Sequence, residues 1–134
     1  MIAAIHAGWK GAFKGIIERT LNFMIKKGCD PKNVTAVIGP CISVKNYEVK
    51  KDFIKKLIKK DGKNKKFFKK IQNKDFFDLK KYVLSQLKAL NIKKIDIINK
   101  NTFNPKNNFF SARRSISRNE NDYGRNISVI MINS

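Results

Sequence analysis

The sequence predicts a mixed α/β (α+β) fold, a layered sheet with helices packed on its faces, on three observations. Short apolar runs of strand length stand at Met1 to Ile5, Val34 to Ile38 and Ile95 to Ile98. Stretches of helical periodicity alternate with them, and glycine or proline marks the early changeovers. A chain of 134 residues buries one modest core, so a single domain is expected, with no internal repeat and no linker to divide it.

Taken in order, Ile2 to Ile5 reads as a strand that pairs with others of one sheet. The turn His6-Ala7-Gly8-Trp9-Lys10-Gly11 follows it. Ala12, Phe13, Ile16, Ile17, Thr20, Leu21 and Met24 then recur at helical spacing, which predicts a helix from about Ala12 to Lys27 against the sheet, ended by Gly28 and closed off by Asp30-Pro31. Val34 to Ile38 is a buried-strand run stopped by Gly39-Pro40, with Cys41 in the loop at its end. Phe53, Ile54, Leu57 and Ile58 give a short amphipathic helix, and Lys59 to Lys74 reads as a lysine-rich insertion anchored by Phe67, Phe68 and Ile71. Asp78 is suited to cap a helix carrying Leu79, Tyr82, Val83, Leu87 and Leu90, which ends near Asn91. Ile95 to Ile98 is a further strand, Phe109 to Arg114 a loop or irregular helical turn, and Ile127 to Ile132 a closing strand.

The net charge of +20 raises nucleic acid or an anionic surface as a partner. The excess is nearly all lysine and comes with abundant Asn and Ile, the pattern an AT-rich coding sequence produces. No arginine-rich stripe or base-stacking motif accompanies it, so no nucleic-acid partner is expected. Between Lys45 and Lys100 lie 19 of the 30 basic residues against 6 acids, a run that reads as a solvated face and not as the active site. Two cysteines, Cys29 and Cys41, make neither a disulfide framework nor a self-contained zinc site, which fits a reducing cytoplasm. No apolar run has membrane-spanning length and no signal-type start is visible, so no membrane partner is expected.

The candidate chemistry begins at His6, the one histidine. The pattern places it at the carboxyl end of a strand and beside a helix N-terminus, where ligands bind in open α/β sheets and where free N–H groups favour an anion. By spacing alone a hydrogen-bonded structural histidine is the commoner case and a metal ligand the rarer one. Gly8, Gly11 and Gly15 form neither a Walker loop nor a dinucleotide fingerprint. Cys41 reads as a site-lining thiol or even a nucleophile or, better, as a small buried residue packing under the loop, because no neighbouring base is in view. Arg113, Arg114 and Arg125 stand out among only five arginines, since planar forks bind phosphate bidentately. The plain alternative is that they cap strand ends or pair with Glu120 and Asp122.

HAGWKG at His6 to Gly11, Ile38-Gly39-Pro40-Cys41-Ile42, Tyr47-Glu48-Val49, Phe77-Asp78-Leu79, Phe109-Phe110-Ser111-Ala112-Arg113-Arg114 and Tyr123-Gly124-Arg125 together resemble one family in order. It is the YfiH-type purine nucleoside phosphorylase family, also called the laccase-domain or multicopper polyphenol oxidase family and, in bacteria, the peptidoglycan editing factor. Members are about twice this length, a size still compatible with one domain. The resemblance implies that residues 1–134 are the C-terminal portion of a larger single-domain fold whose N-terminal half is absent. It also implies one zinc held by two histidines and a cysteine, of which only His6 has a counterpart here. The other two ligands would belong to the missing half, and Cys41 is not the family's zinc cysteine. Asn101-Thr102 falls where the family usually has Cys-Thr.

The activity so implied is phosphorolysis of purine nucleosides (adenosine, inosine, methylthioadenosine) together with adenosine deamination, with a purine nucleoside and phosphate as partners. Three protein ligands leave zinc an open position for water or a substrate oxygen. His6, Arg113 and Arg114 are the expected catalytic residues, and Gly8, Trp9, Lys10, Gly11, Cys41 and Arg125 the expected phosphate or substrate contacts. The chain alone is expected to be inactive. Copper-dependent polyphenol oxidation ranks second, because one Cys and two His do not resemble the several coppers of a laccase. A non-catalytic fragment or binding module is the further alternative.

Overall fold

The computed structural model describes residues 1–133. The fold is mixed α/β, with small sheets and helices packed around them, in two compact units. One unit comprises Met1–Gly39, Val83–Ile98 and the stretch from Ile127 onward; the other comprises Pro40–Tyr82 and Asn99–Asn126.

In the first unit Gly8 precedes a five-residue helix, α1 (Trp9–Phe13), and α2 follows at Ile16–Lys26. The helix expected to run unbroken from Ala12 to Lys27 is thus in two pieces. Gly15 separates them at φ 82°, a left-handed conformation open to glycine at little cost, and it turns the chain out of α1 before helical geometry resumes. Ile17 and Leu21 form the buried stripe of α2. The side-chain amide of Gln86 donates to Ala12 O at 3.1 Å, a carbonyl that also accepts from Gly15 N at 3.1 Å where α1 ends.

After α2, Asp30 accepts from the Lys32 amide at 2.9 Å and starts a 3-10 turn at Pro31–Asn33 that leads into β1 (Thr35–Ile38). β1 pairs in parallel with β4 (Lys94–Ile97), Thr35 opposite Lys94 and Ile38 opposite Ile97. Alternation puts Ala36, Ile38, Ile95 and Ile97 on one face. The core of the unit is aliphatic: Ala12, Ile17, Leu21, Ile38, Val83 and Ile92.

Two expected strands do not form. Ile2 to Ile5 and Ile127 to Ile132 have no strand assignment, and Ile2 and Ile127 are 42% and 87% exposed. A strand is defined by its neighbour's N–H and C=O groups, and among the described residues β1 and β4 pair only with each other. The apolar composition of both runs is therefore compatible with a strand without producing one.

In the second unit α3 (Lys51–Lys60) buries Leu57 completely and points its lysines to solvent. The buried Asn64 amide donates to Leu57 O at 2.9 Å, closing the helix end. A 3-10 turn, Gly62–Phe67, delivers an antiparallel hairpin of β2 (Phe68–Ile71) and β3 (Lys74–Phe77). The supposed insertion is thus an ordered element. Its two turn residues, Gln72 and Asn73, both have positive φ (47° and 61°), the requirement of a tight two-residue hairpin turn. Gln-Asn is a weaker signal for that turn than Asn-Gly, and FKKI and KDFF do not alternate cleanly, so the pattern hides it.

Phe77 is fully buried and meets the rings of Phe53, Phe68, Tyr82 and Tyr47 at 5.1, 5.3, 5.5 and 5.7 Å, the centroid spacing of favourable tilted and edge-on pairs. Asp78 Oδ1 accepts from the Lys81 amide at 3.0 Å and caps α4 (Leu79–Ala89), as its position before the periodic stretch implied. Every lysine from Lys45 to Lys74 is exposed.

Candidate active site

His6 lies on an exposed, non-regular segment and not at the end of a strand; the turn after it does open a helix, with Gly8 at the cap position. The glycines of the turn have a local reason. A Cβ on Gly8 would stand 3.0 Å from His6 Nε2, and one on Gly11 would stand 3.2 Å from His6 O. Any side chain at position 8 would push against the imidazole, and any at position 11 against the backbone that carries it. Trp9 and Phe13 meet edge-on at 6.4 Å, and the Lys10 ammonium lies 5.8 Å from the centre of the Trp9 ring. The turn therefore brings together His6, Gly8, Trp9, Lys10 and Gly11, all within the first unit.

Cys41, Arg113, Arg114 and Arg125 belong to the second unit. Cys41 forms an isolated parallel bridge with Asn101, its amide donating to Lys100 O at 3.3 Å and its carbonyl accepting from Thr102 N at 3.1 Å. Burial pushes its thiol pKa up, the Lys80 ammonium opposes this, and the Asp78 carboxylate adds to it. At neutral pH Cys41 is a protonated thiol, in keeping with a packing role.

Asn101 is the polar centre of this loop, a role with no local signal in the chain beyond standing where the resemblance implies a cysteine. Its Oδ1 accepts from Ser43 N at 3.1 Å and Phe103 N at 3.0 Å, while its Nδ2 donates to Asn46 Oδ1 at 2.9 Å. Ser43 Oγ donates to the same Asn46 oxygen at 2.9 Å. A cysteine could not reproduce this two-sided bonding, because it lacks both the carbonyl acceptor and the amide donors.

Ser111 caps α5 (Ala112–Ser117), accepting from Arg114 N, so the loop expected at Phe109 to Arg114 becomes helical from Ala112. The two adjacent arginines then diverge in use. Arg114 donates from Nη1 to Thr102 O (2.9 Å) and Phe103 O (3.0 Å) and from Nη2 to Phe109 O (2.7 Å), tying three carbonyls into one fork. Arg113 is exposed, stacks 5.1 Å over the Tyr47 ring and donates to Glu48 O at 3.1 Å. Burial raises the Tyr47 hydroxyl pKa and the neighbouring Arg113 charge works against that rise.

Arg125 is exposed, stacks 4.2 Å over Tyr123 and bonds the carbonyls of Tyr123 and Gly124. Beside it Asn126 pairs with both the N–H and the C=O of Phe110, at 2.9 and 2.8 Å, in the manner of a neighbouring strand. A Cβ on Gly124 would lie 2.4 Å from the Phe110 ring, so this packing requires glycine. The acids suggested as partners for these arginines are placed otherwise: Glu120 lies 3.9 Å from Arg118.

Among the described residues no group of three or more His, Cys, Asp or Glu could hold a metal. One exposed histidine and two free cysteines do not make a zinc or copper site by themselves. Among the described residues no helix is long and apolar enough to cross a membrane.

The chain, with its HAGWKG turn, is matched over residues 1–133 by the family described as multi-copper polyphenol oxidoreductase laccase, and it belongs to that family. Its relatives carry the name purine nucleoside phosphorylase. That of Rickettsia conorii is 38% identical over 95% of this chain and 52% of its own length. That of Rickettsia prowazekii is 38% identical over 86% of this chain and 48% of its own. That of Haemophilus influenzae is 35% identical over 96% of this chain and 51% of its own. The chain thus spans about half the length of these curated relatives.

Proposed function

We propose that this chain is part of an enzyme that splits purine nucleosides with phosphate, adenosine, inosine and methylthioadenosine among them, and that also deaminates adenosine in a zinc-dependent site. The observation that carries the proposal is the His6 turn. Gly8 and Gly11 approach the imidazole and carbonyl of His6 so closely that a Cβ at either would press on them, in a chain matched over 95% and 96% of its length by relatives named purine nucleoside phosphorylase. His6 serves as one metal ligand, and the remaining ligands come from the half of the family domain that this chain does not contain. Among the described residues the donors are too few for a metal site of their own.

The chain's own contribution is anion and substrate contact. Arg113 and Arg125 present exposed guanidinium groups, and Lys10 an exposed ammonium beside the turn. Arg114 acts by holding the loop that carries Arg113. A reducing cytoplasm suits two unbonded cysteines.

Elemental analysis of the dialysed chain should find zinc well below one per molecule, with negligible nucleoside cleavage. The domain completed with its other half should hold about one zinc, and His6→Ala in that protein should abolish zinc retention and cleavage together. Tight zinc in the isolated chain, or full activity in the completed His6→Ala protein, would refute the assignment. Copper-dependent phenol oxidation is the second reading, favoured by the family's description. A multicopper centre requires several histidines, of which this chain has one.

A further inference from the structure

We propose that Gln86 is a positioning residue for His6, fixing the short helix α1 on which the His6 turn rests. The inference deepens the reading of His6 as a metal ligand and rests on it, and the residues it uses all lie within the first unit.

The first observation is a polar side chain where the helix pattern calls for an apolar one. Gln86 stands three residues after the buried Val83 and four before Leu90, so it shares the apolar stripe of α4 with them. An amide in such a stripe is costly unless it is hydrogen-bonded, and an apolar residue of similar size would serve packing as well. Gln86 is half-buried and donates to Ala12 O at 3.1 Å, so its polarity is spent on α1.

The second observation is what that bond grips. α1 has five residues, well under the length at which a helix sustains itself, so neighbours have to hold it. Ala12 is fully buried, and its N–H donates to Gly8 O at 2.9 Å. Its carbonyl takes the Gly15 N–H at 3.1 Å together with the Gln86 side chain. Gln86 therefore holds the residue that links the start of α1 to its end.

The third is how α1 bears on His6. A Cβ at position 8 would stand 3.0 Å from His6 Nε2, and one at position 11 would stand 3.2 Å from His6 O. Gly8 is joined to Ala12 by a hydrogen bond and Gly11 by a peptide bond, so a shift of Ala12 moves both surfaces against which His6 lies. Gln86 acts on the imidazole only through α1, as a support set behind a ligand.

The test uses the 134-residue chain with Gln86→Met, which keeps the length and helix propensity and loses the donor. Gln86→Glu is the second variant, because its ionised carboxylate also has no hydrogen to offer Ala12 O. In both, the amides of Ala12, Lys14 and Gly15 should exchange at least about tenfold faster, while that of Leu21 inside α2 stays within about twofold. The Cε1–H and Cδ2–H resonances of His6 should move toward their unfolded-chain positions in the same samples. In the domain completed with its other half, Gln86→Met should weaken zinc binding by about ten- to a hundredfold, the range for groups that orient a ligand from behind. Unchanged exchange and unchanged His6 resonances in the folded variants would overturn the proposal. Equal acceleration at Leu21 and Ala12 would also overturn it, since that is a loss of stability and not of position. If His6→Ala releases zinc from the completed domain and Gln86→Met leaves the affinity unchanged, the positioning role fails alone; if His6→Ala retains zinc, the metal-ligand reading fails.

Discussion

The unit around Phe77 and the unit around Ile17 and Leu21 solve the same problem with unequal means. The first gathers six aromatic rings, those of Tyr47, Phe53, Phe67, Phe68, Phe77 and Tyr82, into one cluster, and it ties its loops through Asn101 and Arg114. The second relies on small aliphatic side chains under a two-stranded sheet and leaves its terminal apolar runs in solvent. The first thus packs its rings against one another, while the second leaves Ile127 and Val129 at 87% and 82% exposure. The difference teaches that near-uniform family resemblance along a chain does not imply uniform self-sufficiency.

The largest expected effect tests the stronger unit. Phe77→Ala removes a fully buried ring at the centre of the cluster and should cost about 3–5 kcal/mol in urea unfolding, against about 2–3 kcal/mol for Leu21→Ala in the other unit. Equal losses would erase the contrast.

Next is the arginine fork. Arg114→Lys leaves at least one of three carbonyls without its donor and should lower stability by about 1–3 kcal/mol, whereas Arg113→Lys, at an exposed stacked position, should cost well under about 1 kcal/mol. Matching effects in thermal melts would show that the adjacent arginines do not divide structural and surface roles.

Gly124→Ala should cost about 1 kcal/mol or more, because the new methyl group meets the Phe110 ring. The double variant with Phe110→Ala should recover much of that loss in a mutant cycle. Additive losses would place the strain elsewhere.

For Cys41 the folded-state pKa is raised above its ordinary value of 9.0, so the folded chain binds this proton more tightly than the unfolded chain. Its contribution is constant below about pH 8 and turns destabilising as pH rises through 9.0 and beyond. Unfolding at pH 7, 9 and 10 should show the decline, and Cys41→Ala should flatten it; an unchanged slope would remove the burial argument.

The smallest effects belong to solvent-facing groups. Val129→Ser should change the stability of the isolated chain by less than about 0.5 kcal/mol. Replacing Lys59, Lys60, Lys65 and Lys66 with glutamine should leave turnover of the completed protein within a few-fold, because exposed charges contribute little individually. A loss of two orders of magnitude would move the active site onto the lysine face.

By itself the sequence determined the features that depend on near neighbours. Helical periodicity placed α3 and α4, Asp78 announced its own cap, and β-branched runs marked β1 and β4, because propensity, capping and alternation act over a few residues. The glycine turn at His6 was legible for the same reason. Tertiary structure alone decided whether an apolar run becomes a strand, since the partner lies far away in sequence: Thr35 found Lys94, and among the described residues Ile2 and Ile127 found no strand partner. It also decided which arginine is held, since three carbonyls had to converge on Arg114 from two turns of a loop before its fork could be filled, while Arg113 was left at the surface over Tyr47.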